Sequence, residues 1–227
     1  LGDVYKRQLP ELIELMESLD EQFSWEIILV DDGSTDGTLE ALRAFESPRV
    51  RVLAHPENRG YGAALKSGVS AAAHERILIT DADATYPARH IPELLARSES
   101  ADMVVGARTG SEVPAQLIRR PAKWALRRLA SWLSQAEILD LNSGLRVFRR
   151  TLATRYARLL PDGFSYTTTI TLACLADNQR VEYIPIDYRR RKGRSKIRPI
   201  SDTINFLRLI VRTIMFFDPM RVLLPTA

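Results

Sequence analysis

The sequence predicts an α/β fold: a mostly parallel sheet flanked by helices, with an amphipathic helical segment at its C-terminal end. Three observations predict it. Apolar, β-branched runs stand at 26–30, 50–53 and from Ile77 onward. Each ends in a polar or glycine-containing loop, and the first two lead into helical patterns at 39–45 and 63–73. Loops at the carboxyl edge of such a sheet are where open α/β folds bind ligands.

The most informative run is Ile77-Leu78-Ile79-Thr80-Asp81-Ala82-Asp83. A buried strand that emerges here delivers Asp81 and Asp83 together to the sheet edge. Adjacent carboxylates repel, and a hard divalent cation that also holds substrate phosphates relieves the repulsion. The plain alternative is a strand end with two solvated acids.

The first run ends in Asp31-Asp32-Gly33-Ser34-Thr35-Asp36-Gly37-Thr38. Gly33 and Gly37 allow tight turning, and Ser34, Thr35 and Asp36 are suited to cap the next helix. Capping does not explain Asp31 and Asp32, which are placed to accept hydrogen bonds from a base or ribose. The second run leads through His55-Pro56-Glu57-Asn58-Arg59-Gly60-Tyr61-Gly62 into a helix that carries Lys66. Small residues such as Gly60 let a backbone approach a nucleotide, and the basic side chains suit phosphate.

Together Val30–Thr38, Asn58–Gly62 and Asp81-Ala82-Asp83 resemble the nucleotide-sugar site of glycosyltransferase family 2, with its GT-A (Rossmann-like) fold. Asp140–Arg146, Gly163–Thr168, Arg191–Lys196 and Phe217–Val222 resemble its polyprenyl-phosphate branch, which includes dolichyl-phosphate mannose synthases and bacterial undecaprenyl-phosphate sugar transferases. The resemblance runs from about Leu9 to Pro225. It implies a GT-A domain over 9–200 and a membrane-interface segment over 201–227. Relatives begin with a strand and a Pro-x-Tyr/Phe-Asn-Glu turn; 1–8 lacks both and reads as an atypical terminus in place of a first strand. Relatives also continue into membrane-spanning helices beyond the point where this sequence stops.

Composition bounds the alternatives. A chain of 227 residues with 45% hydrophobic content supports one sizeable core. No run of eighteen apolar residues occurs, and no stretch reads as a signal peptide. The lone Cys174 excludes an internal disulfide framework and reads as a core residue of a 170–176 helix. His55, His74 and His90 lack ligand spacing, so zinc chemistry is not expected. The net charge of +4 and pI near 9.4 come with two basic clusters, 119–128 and 189–198. No aromatic platform interleaves them, so diphosphate, lipid phosphate or an anionic membrane explains them better than nucleic acid. The 189–198 segment, with Gly193 amid like charges, is expected to order over bound diphosphate.

From Ile204 to Phe217 only Arg208 and Arg212 carry charge, one helical turn apart. A core helix or homo-oligomer interface is the plain alternative to a helix lying in the interface of a membrane's cytoplasmic face. The chemistry implied is an inverting single displacement from a nucleoside-diphosphate sugar to a polyprenyl phosphate. Mg²⁺ or Mn²⁺ on Asp83, with Asp81 direct or through the ribose, neutralises the leaving group. Arg146 and the Arg191, Arg194, Lys196 loop add cationic donors to a phosphate, and Ser143 and Ser195 join the substrate-binding set. An acceptor phosphate, with a second pKa of about 6, needs no strong base. Asp140 is the carboxylate that orients or activates it, unless it supports the 142–144 turn. Rival readings are a hydroxyl-acceptor transferase, which lacks its Gln-x-x-Arg-Trp motif here, and an impaired nucleotide-binding module.

Overall fold

A computed structural model describes residues 2–109, 120–163, 165–189 and 199–223. Helix α1, Gly2–Ser18, precedes the first strand β1, Ile27–Asp31. There follow α2, Thr38–Arg43; β2, Val50–Ala54; α3, Tyr61–Ala71; and β3, Arg76–Ile79. Next are α4, Ile91–Arg97; β4, Met103–Arg108; α5, Arg120–Ser134; β5, Arg146–Arg149; and α6, Arg150–Arg155. The described chain closes with α7, Tyr166–Ala176; β6, Val181–Ile186; α8, Pro199–Phe217; and the short α9, Met220–Leu223.

Strands β1 and β2 pair in parallel as one sheet, and the others form a second sheet in the order β3-β5-β4-β6. In that second sheet only β5 is antiparallel to its neighbours. No ladder joins the two sheets among the described residues. Helix α3 bridges them. At its end the Ala73 amide donates to Glu26 just before β1 (2.6 Å), while its first turn meets the carboxyl ends of both β1 and β3. Both strands therefore run antiparallel to α3 and present their carboxylates on one side.

Every residue of α7 is buried, and its side chains pack into two adjoining clusters. Cys174 lies in one of them, where burial pushes its thiol pKa well up. The helix begins four residues earlier than the sequence pattern suggests, because Thr167, Thr168 and Thr169 read as polar but stand inside the protein. Helix α2 is capped by Gly37 at φ +75°, with no side-chain cap bond, so Ser34, Thr35 and Asp36 do not serve as expected. Asp36 instead accepts the Thr38 hydroxyl at 2.5 Å. Strand β5 has no clear signature in the sequence, because Arg146 and Arg149 bracket only two apolar residues.

Helix α8 has two faces. Ile210, Thr213 and Ile214 are buried against α5 and α7, so this face is core. Ile204, Leu207, Met215 and Phe216 are exposed on the remainder. The core reading therefore holds for one face of the helix, and the other face is apolar and exposed. Truncating Ile214 to Ala should cost about 2–4 kcal/mol, as for a buried aliphatic. Phe216→Ala, at 66% exposure, should cost less than about 1 kcal/mol. Urea unfolding of the two variants checks this, and equal losses would mean that the outer face is covered as well.

Candidate active site

Four loops converge where β1 and β3 end. Asp31 is buried and its carboxylate accepts the Ser34 amide at 3.0 Å, which closes the turn after β1. Gly33, at φ +74°, lies against the 57–58 backbone, and a Cβ there would stand 2.4 Å from the Glu57 carbonyl carbon. The turn is thereby seated on the loop that precedes α3.

Asp32 organises that loop. Its Oδ1 accepts the Arg59 amide at 2.9 Å and faces His55 Nδ1 at 2.7 Å, and its Oδ2 accepts the Gly60 amide at 2.8 Å. Burial alone would raise the Asp32 pKa, but the His55 bond and the two amides outweigh it and hold the carboxyl below its usual range. Gly60 adopts φ +105°, closed to most residues, with Asp162 O only 2.5 Å from where a Cβ would be. Lys66, expected at phosphate, is held by Asp162 at 2.7 Å on the same rim.

The acidic turn after β3 is clamped from several directions. Gln8 of α1 donates to Asp81 O at 3.0 Å and accepts the Ala84 amide at 2.9 Å, which fixes Ala84 in the left-handed region at φ +55°. Tyr61 donates its hydroxyl to Asp81 Oδ1 at 3.0 Å, and burial, with the Asp81 charge, drives its pKa far up. Asp83 Oδ1 accepts the Thr85 amide at 3.2 Å and its hydroxyl at 2.5 Å. Gly144 backs directly on Asp81, since a Cβ there would lie 2.5 Å from Oδ2. Asp81 and Asp83 are hard-oxygen donors on one turn, which fits a divalent cation that draws its other ligands from a diphosphate. Among the described residues no three His, Cys, Asp or Glu side chains are grouped to hold a metal by themselves.

Behind this turn stands a polar wall. Asp140 takes a two-point ion pair from Arg108 (2.6 and 2.8 Å), plus the Arg108 amide at 3.2 Å and the Asn142 amide at 3.0 Å. Desolvation would raise its pKa, yet the Arg108 pair prevails and holds it low. These bonds are those of a residue that supports the 142–144 turn, the second of its two possible roles. The Gly144 amide donates to Tyr86 Oη at 2.7 Å; burial pushes that phenol up to about 12. Tyr86 packs edge-on against Tyr188, whose ring also lies 5.3 Å from the Arg108 guanidinium.

Arg146 corrects an expectation. It is wholly buried on β5, and its guanidinium donates to Ser143 O (2.6 and 3.1 Å), Thr167 O (2.9 Å) and Thr171 Oγ1 (2.7 Å). With its donors engaged on interior oxygens, it is a positioning residue for the Ser143 turn and not a diphosphate ligand. Ser143 is likewise buried, with its hydroxyl accepting the Leu145 amide at 3.3 Å, so its contribution is to turn shape. Arg191, Arg194, Ser195 and Lys196 lie outside the described residues, but the chain reaches them from the site's edge: the Arg189 amide donates to Thr85 O at 2.9 Å.

Sequence reasoning missed Gln8, Tyr61, Tyr86, Arg108 and Tyr188, all of which act on a neighbour's carboxylate, backbone or ring. Tyr61, between Gly60 and Gly62, is the one with a visible signal: a large side chain set among residues whose smallness matters.

The fold is GT-A-like and the protein is a glycosyltransferase. The chain belongs to glycosyl transferase family 2, whose family model matches residues 3–156. It is 34% identical over 179 residues to a dolichyl-phosphate hexose transferase of Haloferax volcanii, covering 78% of this chain and 75% of the relative. It is 32% identical over 225 residues to an undecaprenyl-phosphate 4-deoxy-4-formamido-L-arabinose transferase of Pseudomonas fluorescens, covering 95% of this chain and 63% of that protein. In fold it is similar to glucosyl-3-phosphoglycerate synthase of Mycobacterium tuberculosis in complex with Mn²⁺, UDP and phosphoglyceric acid. That match has a TM-score of 0.63 at 21% identity, over 90% of this chain and 72% of the other.

Gly144 provides a direct test of the site. Gly144→Ala should displace the Asp81 carboxylate and weaken Mn²⁺-dependent binding of a nucleoside diphosphate by about 10–100-fold. Titration calorimetry with and without Mn²⁺ checks this; the metal-free affinity should stay near that of the parent.

Proposed function

We propose that this chain is the catalytic part of an inverting glycosyltransferase that moves a sugar from a nucleoside-diphosphate sugar to a polyprenyl phosphate at the cytoplasmic face of a membrane. The observation that carries the reading is the Asp81–Asp83 turn, locked by Gln8, Tyr61 and Gly144 beside a loop whose amides are gathered by Asp32. A divalent metal between acidic turn and amide loop is what a diphosphate leaving group requires. The named relatives, with polyprenyl-phosphate acceptors in their names, support the acceptor class.

Each residue then has a task. Asp31 closes the turn that borders the nucleoside side, Asp32 sets the loop beside it, and Gly60 lets the backbone approach the donor. Asp81 and Asp83 hold Mg²⁺ or Mn²⁺, which supplies charge neutralisation as the sugar–diphosphate bond breaks. Lys66 sits one turn into α3 and, on release from Asp162, reaches anionic substrate. The 190–198 segment, which follows the Arg189 tether, brings Arg191, Arg194, Ser195 and Lys196 over the phosphates. The acceptor phosphate attacks as an anion. Asp140, bound twice by Arg108 and held ionised, supports the 142–144 turn on the acceptor side and takes no proton. That pairing argues against a hydroxyl acceptor, whose proton would need a free base.

Asp83→Asn should abolish metal-dependent donor binding and reduce transfer to a short polyprenyl phosphate by at least about 100-fold. A panel of UDP- and GDP-sugars measured by product formation tests the parent. Turnover with no polyprenyl phosphate acceptor, but with a sugar hydroxyl, would overturn the acceptor assignment.

The outer face of α8 supports membrane contact. Ile204, Leu207, Met215 and Phe216 are exposed beside Arg208 and Arg212, and no described helix is long and apolar enough to cross a membrane. Each arginine near an anionic surface contributes on the order of 1 kcal/mol. Deleting the whole segment is a poor test, because its inner face is core. Leu207→Ser, Met215→Ser and Phe216→Ser together should instead abolish binding to anionic liposomes and spare nucleotide affinity. Flotation at rising salt should show progressive loss for the parent; salt-independent flotation would remove the electrostatic part.

A further inference from the structure

The imidazole of His55 belongs to no reacting group, yet it joins three elements. Its amide donates to Asp31 O at 2.9 Å, where the β1–β2 ladder ends. Its ring is buried, with Nδ1 2.7 Å from Asp32 Oδ1 and Nε2 2.9 Å from Ser67 Oγ in α3. We infer that His55 is a positioning residue for donor binding: it fixes the rotamer of Asp32, and through Asp32 the Arg59 and Gly60 amides. The inference rests on the nucleotide-site reading above.

The hydrogen-bond roles follow from the partners. The Asp32 carboxylate is ionised and can only accept, and it already accepts two loop amides. His55 Nδ1 must therefore be the donor. In the neutral ring Nε2 is then an acceptor, and the Ser67 hydroxyl donates to it. Without the ring, Asp32 keeps its two amide bonds but loses the side chain that holds its torsion. With that torsion free, the carboxylate swings away more often and its bonds to the Arg59 and Gly60 amides open more often, so the loop is less firmly set.

Two isosteres separate the two ring nitrogens. In His55→Asn the amide nitrogen stands near Nδ1 and can still donate to Asp32. In His55→Gln the side chain reaches the Nε2 position and Ser67 but passes Asp32. Metal-free binding of UDP and GDP is the first readout. The glutamine variant should bind about tenfold more weakly, the asparagine variant within about threefold of the parent. Hydrogen exchange at the Gly60 amide, measured with no nucleotide, is the second. It should accelerate in His55→Gln and stay near parental in His55→Asn, while Ser67→Ala gives a smaller change in the same direction. A ring that merely fills space predicts the reverse order, since glutamine fills more of the volume than asparagine. Equal exchange in the two isosteres, or faster exchange in asparagine, would overturn the inference. If the parent binds neither nucleotide, the donor-site reading fails, and the exchange data still decide whether His55 sets the loop.

Discussion

A candidate site that straddles two sheets, with no ladder between them among the described residues, needs some other element to fix its width. Here that element is the first turn of α3. The Gly60 amide reaches Asp32 at the end of β1, and the Tyr61 hydroxyl reaches Asp81 beyond the end of β3. Gly62 lies so close to Pro161 O that a Cβ would stand 2.1 Å away, and the Ala63 amide donates to Asp162 O at 3.0 Å. Successive residues thus face different parts of the chain. Only glycine at 60 and 62 permits that approach, and only a long side chain at 61 spans the distance to Asp81. The spacing Gly-Tyr-Gly is a geometric requirement before it is a sequence motif.

The charges around this turn are arranged so that few are left to solvent alone. Asp32 is satisfied by amides and an imidazole, Asp140 by Arg108, and Arg146 by carbonyls. Such pairing makes weak net contributions to stability, since desolvation offsets much of the attraction, but it makes each rotamer costly to change. Rigidity of that kind would suit the proposed diphosphate donor, which has to be held in one orientation. Arg146 shows the principle in the interior: a guanidinium on β5 can bind Ser143 O and Thr167 O at once because its donors lie in a fixed plane.

The acidic strand ends are legible because an apolar run that stops abruptly at paired carboxylates marks a strand leaving the core for a polar loop. The three loops, their glycines and the α/β class follow from that. Arg146 misleads for a physical reason: a cation in a motif that otherwise faces substrate reads as a substrate ligand, and nothing in one sequence reveals that Thr167 and Thr171 will face it inside the protein. Gln8 is invisible because its partners are backbone atoms of Asp81 and Ala84, far away in the chain. The spacing of His55 argues only against metal ligation, although its place directly after β2 matches the strand-end logic that applies to Asp32. For α8 the periodicity is ambiguous because both faces are apolar, and only its packing against α5 and α7 separates core from surface.

The same packing ties the Asp140 turn to α8. Helix α7, whose Thr168 bonds Asn142 of the Asp140 turn, is also the surface on which α8 lies. The Asp140 turn and the helix whose outer face is apolar and basic are therefore both held by a single buried helix. The wall formed by Tyr86, Arg108 and Tyr188 is tied to the Asp81–Asp83 turn next to Tyr188, where the Arg189 amide donates to Thr85 O at 2.9 Å and Thr85 in turn bonds Asp83.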